Sequence, residues 1–275
     1  MNFQLHIKKK RVDKKILDKQ NLDKKTILHN TSLLRILNKP FPLKEKHDSI
    51  IPLKLYTCWH TKDLPKYMNE NYQKIKNAHT NFEHYLYDES DCESFIKDNF
   101  ENDVLISYRQ LIPDSYKSDL WRYCILYING GIYFDIKFSC INNFNFIALT
   151  EKEYFVRDRE EWGGTLTGLI SVKPKNEILL KCIYQIVQNV KTRFYGVNSL
   201  DPTGPGLLGK YFTKEEKKMM QLHFRNINIA NVLDEWIIVF NNISVLRQYK
   251  NYRAEQTKTH YGNLWAEKQI YNSNS

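Results

Sequence analysis

The chain has 275 residues, 42% of them apolar and 26% charged, which is enough to bury a sizeable core and too apolar for bulk disorder. Its net charge of +10 invites a nucleic-acid reading, but residues 1–50 carry 13 basic and 5 acidic side chains, so most of the excess belongs to an N-terminal arm. Cys58, Cys92, Cys124, Cys140 and Cys182 form no C-x-x-C pair, which argues against a structural zinc site and a disulfide scaffold and points to a reducing compartment.

Residues 1–49 are expected to be a basic, flexible extension, with a short amphipathic helix at 26–37 as its only regular element. Contact of this arm with a polyanion or a membrane surface is the functional alternative. Pro40 and Pro42 end the pattern, and a single domain is expected over 50–275. No apolar run approaches the roughly 20 residues that span a bilayer, and no apolar stretch follows the basic start. A cytoplasmic or otherwise soluble chain, without signal peptide or membrane anchor, is therefore expected.

The body opens with a buried strand at 53–58. A helix follows from about Asp63-Leu64-Pro65 to Ala78, then an alternating strand over 82–88, then a helix capped by Asp88 or Ser90 and running to Phe100. This β-α-β-α order predicts a layered α/β domain with a mainly parallel sheet. In 115–129, Tyr116, Leu120, Tyr123, Cys124 and Tyr127 recur at helical spacing, and Gly130-Gly131 ends the helix. A short strand at 132–135 ends in Asp135. Further strands are expected near 154–156, 168–172 and 236–240, a helix over 174–190, and a loop feeding a helix over 203–212.

Chemistry concentrates in 117–137, KSDLWRYCILYINGGIYFDIK. Asp119 and Arg122 are three apart and share a helix face, either as a surface ion pair or as a binding pair. Asp135 closes an apolar strand, where open α/β sheets bind ligands, although a turn-capping Asp fits as well. The eight histidines show no H-x-x-x-H spacing, and no G-x-S-x-G or phosphate-binding G-x-x-x-x-G-K-[ST] occurs. The sequons at Asn30 and Asn242 carry little weight without a secretory signal.

Taken together, this stretch resembles glycosyltransferase family 32, the sugar transferases containing a DXD motif, with relatives among initiating α-1,6-mannosyltransferases and clostridial glucosylating toxins. IPLKLYTCWHTKDLP at 51–65, TGPGLLGKYF at 203–212 and HYGNLW at 260–265 are similar to other segments of that family. The resemblance implies a GT-A-type, Rossmann-like sandwich. It implies transfer of a sugar from a UDP- or GDP-linked donor to an acceptor hydroxyl on a glycan, protein or lipid, with retention of configuration. It further implies that Asp119, Arg122 and Tyr133 bind the donor, that Trp59 lies at the base and that Trp265 closes the phosphate pocket. Mn²⁺ or Mg²⁺ would bridge the phosphates.

One departure stands out: the second acid of the motif is Lys137, so the motif reads D-I-K. Asp135 is the one acid of the motif that remains as a candidate metal ligand, and Asp135 and Lys137 are the candidate catalytic pair. Either Lys137 supplies charge to the diphosphate without metal, or the protein is a catalytically impaired relative that binds a nucleotide-sugar or glycan. Asp158, Glu160 and Glu161 are candidate replacement ligands.

Overall fold

The computed structural model describes residues 37–159, 163–229 and 233–272. The expected arm helix, except for its last residue, lies outside the described residues, as do Asn30, Glu160 and Glu161.

Strand β1 (Lys54–Cys58) and strand β2 (Glu83–Tyr87) pair in parallel, joined by helix α1 (Lys66–Ala78), which begins directly after Pro65. Helix α1 buries Met68, Asn71, Tyr72 and Ile75, a stripe at helical spacing. Helix α2 (Glu89–Asn99) is capped by Asp88, which accepts from the Asp91 amide while Asp91 accepts from the Asp88 amide. Such a cap contributes about 1 kcal/mol.

Helix α3 (Asn102–Gln110) leads to helix α4 (Asp114–Asn129). Helix α4 buries the expected Tyr116, Leu120, Tyr123 and Cys124, and also Trp121, Ile125 and Leu126. A helix apolar over so much of its circumference belongs inside a domain. Gly130 ends it at φ +61, and a Cβ there would lie 2.6 Å from Pro174 Cδ, so no other residue fits this turn. Strand β3 (Gly131–Phe134) follows at once and pairs in parallel with β1.

The remaining strands are β4 (Phe138–Cys140), β5 (Tyr154–Arg157), β6 (Thr165–Val172), β7 (Leu222–Ile229), β8 (Leu233–Phe240) and β9 (Ile243–Gln248). Helix α5 (Glu177–Lys191) follows β6, then the short helices α6 (Pro205–Gly209) and α7 (Lys214–Met219). The described chain ends beyond helix α8 (Tyr261–Ala266). No helix among the described residues is long and apolar enough to cross a membrane.

One nine-stranded sheet runs β2-β1-β3-β6-β5-β7-β8-β9-β4. The α/β layering agrees with expectation, but the sheet is mixed, not mainly parallel. Only β1–β2, β1–β3 and β5–β7 are parallel, and the other five neighbouring pairs are antiparallel. The reason is local. Asn241 and Asn242, at φ 48 and 62, make a tight turn between β8 and β9, and a tight turn joins antiparallel strands only.

The sheet also curls. Strand β3 lies third in it and β4 last, yet only Asp135-Ile136-Lys137 separate them in the chain. The far edge must therefore return to the end of β3. Two larger cores line the structure: one joins the helices to β3 and β6, the other gathers Phe134, Phe138, Phe144, Phe146 and Phe240. Phe41 joins the second, 5.4 Å from the Phe240 ring and 5.2 Å from Phe144, while Lys44 and His47 reach Glu151. The described part of the N-terminal stretch thus lies against the body. All five cysteines are free.

Candidate active site

The D-I-K connection leaves the middle of the sheet and meets the first turns of α4, so charged side chains from distant elements converge there. Arg122, 5% exposed, occupies the centre. Its Nε and Nη2 donate to the Ser118 carbonyl and hydroxyl, and Nη1 donates to the carbonyl and hydroxyl of Thr167 on β6. Nη1 also lies 3.5 Å from Asp119 Oδ1 and 3.3 Å from Asp135 Oδ1. The guanidinium stands over the Tyr133 ring, 4.3 Å from its centroid.

Asp119 is buried at 6% exposure. It accepts from the Thr167 hydroxyl at Oδ1 and from the Thr203 hydroxyl at Oδ2, at 3.0 and 2.8 Å. Thr203 comes from the T-G-P segment, and its carbonyl accepts from Tyr123 Oη. Burial pushes the Asp119 carboxyl up, against the opposing pull of Arg122 and the two threonines.

Asp135 behaves in the opposite way. Burial alone would raise it, but Lys137 and Arg122 overcome that effect and hold its carboxyl at about 2. Tyr133 Oη donates to Oδ1 at 2.9 Å, and Lys137 Nζ sits 2.7 Å from Oδ2. The Lys137 ammonium, desolvated yet paired with Asp135, titrates above the ordinary lysine value. Gly168 on β6 makes room, since a Cβ there would lie 2.6 Å from Asp135 Oδ2. The Gly168 carbonyl accepts from the Asp135 amide.

Asp119, Arg122, Tyr133, Asp135 and Lys137 therefore form one bonded network. Trp59 lies beside it, packed in a small cluster with Met68, Ile136, Tyr249 and Tyr252. Its indole Nε1 is buried and has no hydrogen-bond partner among the described residues. Trp265 directs its indole N–H to the Tyr195 carbonyl at 2.6 Å and packs on the helical core. Asp158 is buried at the end of β5, with its carboxylate turned to the Arg159 amide. Among the described residues no group of three or more His, Cys, Asp or Glu side chains could hold a metal ion.

Two tyrosines join the site unforeseen. Burial raises Tyr252 in the field of Lys137 and Asp135, and burial raises Tyr261 in the field of Lys137, Asp119, Asp158 and Asp135. Tyr261 lies inside HYGNLW, a segment in which the tryptophan is the stronger signal. Tyr252 follows β9 in a 3-10 turn, Tyr252–Glu255, with no sequence signal of its own. Thr167 is equally silent, because its role arises only from the approach of β6 to α4, whereas Ser118 meets Arg122 locally, four residues back on the same helix.

The chain is similar to several known proteins. An uncharacterized glycosyltransferase of Acanthamoeba polyphaga mimivirus is 25% identical over 47% of this chain and 53% of its own length. The initiation-specific alpha-1,6-mannosyltransferase of Candida albicans is 29% identical over 38% of this chain and 29% of its own. Mannosyl phosphorylinositol ceramide synthase SUR1 of Saccharomyces cerevisiae is 28% identical over 38% and 26%. The matches thus span about half the length of the viral relative and under a third of the fungal ones. The solved PaToxG glycosyltransferase is 17% identical over 76% of this chain and 78% of its own, with a TM-score of 0.46. Residues 65–155, which contain Asp119, Arg122, Asp135 and Lys137, match the family described as glycosyltransferase sugar-binding region containing DXD motif.

Proposed function

We propose that this protein transfers a hexosyl group from a nucleotide-sugar, UDP- or GDP-linked, to an acceptor hydroxyl with retention of configuration, on a GT-A-type scaffold. The observation that carries the reading is the bonded network of Asp119, Arg122, Tyr133, Asp135 and Lys137 at the end of β3, within the matched family segment. Mannosyl is the first sugar to try, because two of the relatives carry it in their names.

In the reaction the bond from the anomeric carbon to the distal phosphate oxygen breaks, and its electron pair stays on the phosphate. The acceptor oxygen forms the new bond on the same face, and its proton ends on the released nucleoside diphosphate. Negative charge grows on the leaving group, so fixed positive charge at that point accelerates the step. Arg122 and Asp119, through their bonds to Asp135 and to one another, hold the groups that face the donor and so preset its orientation before it arrives. Trp59 Nε1 is a buried donor that a nucleotide base would satisfy.

The test is release of nucleoside diphosphate from a panel of UDP- and GDP-hexoses, in EDTA and in Mn²⁺, by the unmodified protein and by Asp135→Asn. Release by the unmodified protein, lost in the variant, supports the reading, and NMR of the product's anomeric signal reads the stereochemistry. Equal release by both proteins, or none from any donor, overturns it.

A further inference from the structure

A divalent cation does not fit the residues present. A cation bridging two phosphates needs carboxylate oxygens with free lone pairs facing it. Asp135 Oδ2 is covered by Lys137 Nζ at 2.7 Å, and Oδ1 receives Tyr133 Oη and faces Arg122 at 3.3 Å. The residue at the second acid's position is itself a cation.

The charge balance is nevertheless preserved. Two carboxylates and one divalent ion sum to zero formal charge, and so do one carboxylate and one ammonium. Arg122 then adds the same positive charge in either case. Lys137 is also fixed in place. Its side chain is 24% exposed, Asp135 holds one ammonium donor, and its own carbonyl is tied to the Tyr249 amide at 2.9 Å. An ammonium has three donors, which leaves two for phosphate oxygens.

We propose that Lys137 takes the place of the divalent cation, so that the ammonium held by Asp135 is the counter-charge of the donor's diphosphate and the site works without metal. This rests on the transferase reading above. The Lys137 ammonium is a compact point charge, weaker than a divalent ion at one oxygen but always present. Its donors meet the same phosphate oxygen that receives the electron pair when the sugar departs.

The experiment is titration calorimetry of UDP and of GDP into the full chain, once in EDTA and once in Mn²⁺. The unmodified protein should bind one of them in EDTA, with a Kd that Mn²⁺ changes by less than about threefold. Lys137→Asp should bind at least about tenfold more weakly in EDTA and recover in Mn²⁺. Lys137→Arg, which keeps the charge, should retain metal-free binding and so separates loss of charge from loss of fold. If Mn²⁺ tightens binding to the unmodified protein about tenfold or more, or if Lys137→Met binds as well in EDTA as the unmodified protein, the proposal is overturned while the transferase reading stands. Failure of both nucleotides to bind in either buffer overturns the proposal together with that reading.

Discussion

The two halves of the site are built on different terms. On the helix side, Asp119 and Arg122 are buried, and their polar atoms are bonded to Ser118, Thr167 and Thr203 within the protein. On the strand side, Asp135 and Lys137 are 18% and 24% exposed, Trp59 Nε1 lacks a partner among the described residues, and Tyr252 and Tyr261 lie in the field of the pair. The first half therefore acts mainly as framework, and the second retains donors for a ligand. Charged groups of similar kind thus divide into architecture and reception according to how completely the fold satisfies them.

The sharpest way to break this contrast is Arg122→Met. It strands buried Asp119 without its cation, while Asp135 keeps Lys137, and should cost about 3–5 kcal/mol of stability in denaturant unfolding. A loss near that of an exposed arginine would show that the helix side is not framework.

Asp135→Asn should instead leave the fold cooperative and lower turnover about a hundredfold, read as kcat on the best donor. If stability collapsed and the residual folded fraction turned over normally, the roles of the two halves would be reversed.

The carboxylates should also differ in sign with pH. Asp135 titrates at about 2 in the fold, below the ordinary 3.8, so its contribution is complete above the ordinary value and is lost as pH falls towards about 2. Asp119 is raised, so its ionisation weakens the fold as pH rises through the ordinary value towards the folded one. Unfolding free energies between pH 5 and pH 2 should therefore fall less steeply in Asp135→Asn than in the unmodified protein, and more steeply in Asp119→Asn. The same slope in all three would mean that the network does not couple to these protons.

Thr203→Val removes one donor to buried Asp119 and should cost about 1–2 kcal/mol, with a smaller effect on turnover than Asp135→Asn. The smallest stability effect belongs to Trp59→Phe, within about 0.5 kcal/mol, because its N–H bonds nothing among the described residues. Nucleotide affinity should nonetheless fall about fivefold, the value of one hydrogen bond. A stability loss without an affinity change would make Trp59 a core residue only.

Much of the site was legible from the chain alone. The i, i+3 spacing placed Asp119 and Arg122 on one face, Gly130-Gly131 marked the helix end, and the apolar IYF before Asp135 marked a buried strand ending in an acid. Local periodicity and turn chemistry determine these features, because each concerns residues within one or two turns of each other. The departure Lys137 was equally plain.

What tertiary structure alone decided is long-range. That Thr167 and Thr203 bond Asp119, 48 and 84 residues away, depends on β6 and the T-G-P loop meeting α4. That Tyr252 packs with Ile136 beside Lys137 depends on the curl returning β9 and β4 to the end of β3. The mixed sheet belongs here too, since the direction of a strand relative to its neighbour is set by the connection and the twist, not by the alternation of its own residues. Sequence pattern fixes which face a residue presents, whereas the charge an acid keeps depends on which groups the fold brings against it. Asp119 and Asp135 show it: identical side chains, sixteen positions apart, shifted in opposite directions.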